Sequence, residues 1–85
     1  MPQWKHKIDL SDIFNDEDRT FLQCRDAIVT VLRADTWLAA RFDDDDELYG
    51  IVDELNDTDT EEWFNSAWNA FYDWADGERL WVNTI

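Results

Sequence analysis

Apolar and polar positions along the chain change period several times, and each change marks an element. Gln3-Trp4-Lys5-His6-Lys7-Ile8 alternates aromatic or apolar with charged residues, the period of a half-buried strand, and turns Trp4, His6 and Ile8 inward. Asp9 to Asn15 reads as a turn or short helical turn carrying Leu10, Ile13 and Phe14. Asn15 or Asp16 then caps a first long helix that reaches about Arg33, with Phe21, Cys24 or Arg25, Ile28, and Val31 or Leu32 at helical spacing. Asp35 is an N-cap candidate for a short helix through Phe42.

From Asp46, Leu48, Ile51, Val52 and Leu55 follow the i, i+3, i+4, i+7 pattern of an amphipathic helix that stops near Asn56 and Asp57. Thr58 with Glu61 and Asp59 with Glu62 form two overlapping capping boxes before a wide stripe of Trp63, Phe64, Ala67, Trp68, Phe71, Trp74 and Ala75. Gly77 is the expected C-cap. Leu80 to Ile85 is β-prone, and Trp81 points away from Leu80 and Val82. These elements predict one α+β domain spanning residues 1–85, with three or four helices packed on a small antiparallel pair formed by the N- and C-terminal strands.

Composition supports folding. Thirteen of 85 residues are aromatic, six of them Trp, against two Gly and one Pro, so a small core can be efficient despite a net charge of −14. The lone Cys24 forms no internal disulfide, and no apolar run of signal or membrane-spanning length is present, so a cytoplasmic protein is expected.

Charge changes the picture most. Fourteen of the twenty-one acids lie between Asp43 and Glu78, and Arg79 is the one base after Phe42. Such a field repels nucleic acid and attracts basic protein surfaces. On the helix from Asp46, the acids Asp46, Asp53 and Asp57 oppose the apolar face, with Glu47 and Glu54 flanking it. Glu62, Asn65, Asn69, Asp73 and Asp76 make a second polar stripe on the last helix. The candidate partner-binding residues are therefore Asp43, Asp44, Asp45, Asp46, Glu47, Asp53, Glu54 and Asp57, with Trp81 as a possible aromatic anchor.

Rows of carboxylates at this spacing resemble the phosphates of a duplex and fit a DNA- or RNA-binding groove. The competing reading is a solvated acidic face that keeps an aromatic-rich domain soluble, or one adapted to high salt.

Chemistry-bearing constellations are weak. An EF-hand register from Asp45 puts Glu47, Gly50 and Asp53 at suitable positions, but it places Tyr49 at the fifth and Asn56 where the bidentate Glu belongs, and it needs a loop where a helix is read. Divalent-cation binding is thus a minor alternative, and no cofactor is expected. One His and one Cys disfavour zinc; Cys24 reads as a core thiol and His6 as a packed, hydrogen-bonded ring, so no enzyme is expected. Stacking of nucleic-acid bases on the Trp residues would require cations that the last helix lacks.

The ending Trp74-Ala75-Asp76-Gly77-Glu78-Arg79-Leu80-Trp81-Val82-Asn83-Thr84-Ile85, preceded by Trp68-Asn69-Ala70-Phe71-Tyr72-Asp73, together with the opening Pro2 to Phe14, resembles a class of small proteins encoded by phages of actinobacteria. The resemblance covers the two ends and implies a small accessory protein made inside a bacterial host, where acidic proteins that block DNA-handling factors occur. It implies no site residues. Taken together, the expected function is binding to a basic host protein, with inhibition of a nucleic-acid-binding factor by mimicry as its finer form.

Overall fold

A computed structural model describes residues 3–85; Met1 and Pro2, the latter part of the opening motif, lie outside the described residues. The element order is β1 (His6–Asp9), α1 (Ser11–Phe14), α2 (Phe21–Ala34), α3 (Thr36–Phe42), α4 (Asp46–Asp57), α5 (Glu61–Gly77) and β2 (Leu80–Asn83). The architecture is α+β, mostly helical, with a two-stranded sheet.

The strands pair in parallel, His6 opposite Leu80 through Asp9 opposite Asn83, which corrects the expected antiparallel pair. Antiparallel neighbours can be joined by a tight hairpin, whereas parallel ones need a crossover that is usually helical. Here all five helices lie between the strands, and the last of them returns the chain to the end of the sheet where β1 starts. Backbone bonds from Lys5 N–H to the Arg79 carbonyl (2.9 Å) and from Leu10 N–H to the Asn83 carbonyl (2.8 Å) extend the pairing at both ends. Ile8, Leu80 and Val82 are buried, His6 is half-buried, and Trp4 lies before the strand with its ring exposed, contrary to the inward position expected for it.

Helix starts moved where side chains found other work. Asp16 does not cap α2, because one carboxylate oxygen accepts from Asp18 N–H (3.0 Å) and the other from Arg19 Nε (2.9 Å), closing a turn. The start is deferred to Thr20, whose hydroxyl accepts from Gln23 N–H while the Gln23 side chain accepts from Thr20 N–H. At the head of α5 the cap is Thr60, bonded to Trp63 N–H, and neither expected box forms. Thr58 is buried instead. Its hydroxyl donates to the Leu55 carbonyl (2.8 Å) at the end of α4, and its own carbonyl accepts from Arg25. Gly77 closes α5 without a left-handed conformation; that conformation falls on Arg79, at φ 60°, where the chain turns into β2. Asp35 caps α3 as its position predicts, through Leu38 N–H (3.1 Å).

The core is one cluster in which Leu10, Ile28, Leu32, Leu38, Leu48, Val52, Leu55 and Phe71 are fully enclosed. A row of aromatic rings runs along α5. Phe64 meets Trp68 (6.2 Å between centroids), Trp68 meets Phe71 (5.4 Å) and Phe71 meets Trp74 (6.0 Å), with Phe21 edge-on to Phe64 and Phe14 against Trp68. Such pairs add about 0.5–1.5 kcal/mol each beyond their buried area.

Leu80 and Val82 enter this core from the C-terminal strand, so deleting residues 80–85 removes two buried side chains and all of β1's pairing. The truncated chain is expected to lose cooperative thermal unfolding and its near-UV circular dichroism; a truncated chain with an unchanged melt would show the strand to be dispensable.

Candidate functional site

α4 owes its position to its cap. Asp45 accepts from Leu48 N–H through one carboxylate oxygen (3.1 Å) and from the Trp74 indole N–H through the other (2.9 Å). One side chain therefore starts α4 and ties it to the far end of α5. The Leu48 N–H, and after it the Trp74 indole, hold the Asp45 carboxyl below its ordinary value of 3.8 against the opposing effect of burial. Because the folded value is depressed, this contribution to stability is fully present above the ordinary value and is lost as pH falls through the folded one.

With its start fixed, α4 buries Leu48, Val52 and Leu55 and leaves Asp46, Glu47, Asp53, Glu54 and Asp57 exposed. Asp43 and Asp44 are exposed in the turn that precedes it. Of the acids expected to bind a partner, the structure brings these seven to the outside of one helix and its leading turn, and assigns Asp45 to holding the fold.

Trp81 belongs to a different surface. It stands on β2 with Lys7 Nζ 5.1 Å from its ring centroid, and the small cavity beside it is lined by Trp4, Tyr72 and Asp76, with none of the α4 acids.

The acids of α4 and α5 have no ion-pair partner among the described residues. The pairs present are Arg19–Asp16 (2.9 Å) and Arg25–Asp26 (2.8 Å), both in the first half of the chain. Other cations are turned to π faces: Arg41 lies 3.7 Å from the Trp37 ring centroid, Arg33 5.6 Å from Phe42, and Lys7 lies over Trp81.

Between α4 and α5 runs an open groove of about 580 Å³, walled by Glu47 and Ile51 on one side and by Ala70, Asp73, Trp74 and Gly77 on the other. Its polar lining is acidic. Beyond it on α5, Trp63 is 63% exposed beside Glu62 and Ser66. The periodic stripe placed Trp63 in the core, but Phe64, Ala67, Phe71, Trp74 and Ala75 occupy that face. The missed signal is a seven-residue spacing that puts Trp63 on the flank of Ala70 and Gly77, at the edge of the apolar arc and not at its centre.

The residues with potential for chemistry are separated. His6 Nε2 lies 2.8 Å from the Asp35 carboxylate, and its ring stacks on Trp37 at 5.3 Å and 14°. Cys24 is half-buried on α2, with Sγ 3.9 Å from the Ile13 carbonyl. Residues 46–57 form a helix where the calcium loop would have to be, and no group of three His, Cys, Asp or Glu residues among those described could hold a metal ion. No described helix is long and apolar enough to cross a membrane.

No protein family, curated protein or solved structure matches the chain.

The two roles of the acids separate by substitution. Asp45→Ala is expected to cost about 1–2 kcal/mol in urea unfolding at pH 7, with the difference from wild type narrowing as pH falls below the ordinary carboxylate value of 3.8 and through the lower folded one. Asp46→Ala is expected to stay within about 0.5 kcal/mol of wild type. Equal effects from the two would show that Asp45 holds nothing together.

Proposed function

We propose that the chain is a protein-binding accessory protein whose α4 surface engages a basic face of a host protein in the bacterial cytoplasm. The observation that carries the reading is a row of exposed carboxylates left without internal partners while Arg19, Arg25, Arg33 and Arg41 are engaged elsewhere. Like charges three or four residues apart on a helix destabilise it, and on this surface no lysine or arginine offsets them. A partner's Lys and Arg side chains would supply the missing neutralisation.

Nucleic-acid mimicry is the finer form of the same proposal. α4 has 12 residues and carries five exposed acids, Asp46, Glu47, Asp53, Glu54 and Asp57. At a rise of about 1.5 Å per residue they fall in two clusters, Asp46 with Glu47 and Asp53 with Glu54 and Asp57, about 9 Å apart along the axis, with an average charge density near that of about one phosphate per 3.4 Å along one strand of a duplex. The resemblance of the chain ends to small phage proteins is consistent with a target among host DNA-handling factors. A rigid helix of that charge density would occupy a phosphate-binding groove without the entropy of ordering a flexible tail.

Replacing Asp46, Glu47, Asp53 and Glu54 with Asn or Gln is expected to abolish binding to a basic partner, with the melting temperature unchanged or raised. A panel of host nucleic-acid-binding proteins, tested at two salt concentrations, provides the measurement. Wild-type binding should weaken with salt, and duplex DNA should compete. Binding that survives the four substitutions and ignores both salt and DNA would move the interface to the exposed aromatics and remove mimicry. Failure of every basic partner to bind would leave a solvated acidic face.

A further inference from the structure

The outward face of the sheet differs from the rest of the molecule. Trp4, Tyr72 and Trp81, respectively 39%, 47% and 38% exposed, line one small cavity where β2 meets α5. Strand alternation turns Lys5, Lys7 and Asp9 outward beside them, Lys7 opposite Trp81 in the register, with Arg79 at the head of β2 and Asp76 at the cavity. This face thus holds three bases and two acids, while the remaining surface divides four bases among nineteen acids.

We propose that this face is a self-association surface and that its occupant is a second copy of this chain, paired about a two-fold axis. The proposal is independent of the function assigned to α4. A two-fold interface must be complementary to itself, and this face has the means: exposed rings to stack on rings, and cations and carboxylates to pair across the axis. Across α4 and the polar stripe of α5 two copies of net charge −14 would present carboxylates to carboxylates.

A standard interface takes about 800 Å² from each partner, which is about a seventh of this chain's 5706 Å² of accessible surface. The three rings and Asp76 would lie at its centre, and none of the α4 acids lines that cavity. Clustering of half-exposed Trp and Tyr around a small recess is also the composition expected at the centre of an interface. A dimer so formed displays two acidic α4 surfaces.

Analytical ultracentrifugation from micromolar to millimolar protein at low and high salt tests the proposal. The wild type is expected to reach twice the chain mass, with tighter association at high salt because the remaining repulsion is screened. Tyr72→Glu, on the exposed side of α5, and Trp81→Glu should each shift the protein to monomer with unchanged far-UV dichroism. Trp63→Glu adds the same charge at an exposed tryptophan outside the face and should leave the dimer intact. If Trp81→Glu perturbs the fold, Tyr72→Glu decides. A wild type that stays monomeric at millimolar concentration in high salt overturns the proposal. So does a dimer that survives Tyr72→Glu, or one that Trp63→Glu dissociates equally.

Discussion

Repulsion among twenty-one carboxylates opposes compaction of this chain, and it is overcome by one shared core in which the rings on one face of α5 meet aliphatic side chains from every other element. Phe64, Trp68, Phe71 and Trp74 form a continuous row of rings, and the other elements lean on it from several sides. α1 and α2 reach it through Phe14 and Phe21, while α4 and β2 pack along the helix. Aromatic side chains suit this task because each buries roughly 150–250 Å², so a few of them fill an interior that an 85-residue chain could not fill with aliphatic residues at the same number of positions.

The row also explains why the acids are not interchangeable. Trp74 closes it with an indole N–H that needs an acceptor once buried, and Asp45 supplies one while capping α4. Asp35 has a matching double duty at the start of α3, capping that helix and accepting from His6 of β1. In both cases a carboxylate at a helix start reaches back to a ring from a distant element, so helix initiation and tertiary contact are made by the same side chain. The neighbouring Asp43, Asp44 and Asp46 differ from Asp45 in geometry and not in type.

Much of the helical framework was legible because period and caps agree. α3 and α4 fall where Asp35 and the Leu48-Ile51-Val52-Leu55 pattern place them, and the β-prone ending is a strand. What was illegible depended on competition for side chains. Asp16 is a good cap in isolation but is claimed by Arg19 and Asp18 N–H, and Thr58 is claimed by Leu55 and Arg25. Arg25 cannot be seen from local spacing, since it comes from another helix. Strand direction was hidden for a related reason: it depends on how five intervening helices return the chain, and the strands themselves carry no signal of it. The acidic surface of α4 was readable, whereas the separation of Asp45 from its neighbours, the exposure of Trp63 and the remoteness of Trp81 required tertiary placement.

The disposition of the cations follows from the same economy of side chains. Arg25 holds the α4–α5 junction through the Thr58 carbonyl, and Arg33, Arg41 and Lys7 lie over aromatic rings. A guanidinium over an indole or phenyl ring gains from the ring's negative face and also covers apolar surface with its stem, which a surface carboxylate cannot offer. Using bases in this way strengthens the first half of the fold and removes them from competition for the α4 acids. Stability and the unneutralised acidic surface therefore have a common origin. Moving a lysine into α4 to quiet its repulsion would stabilise that helix locally and at the same time weaken the negative field of its surface.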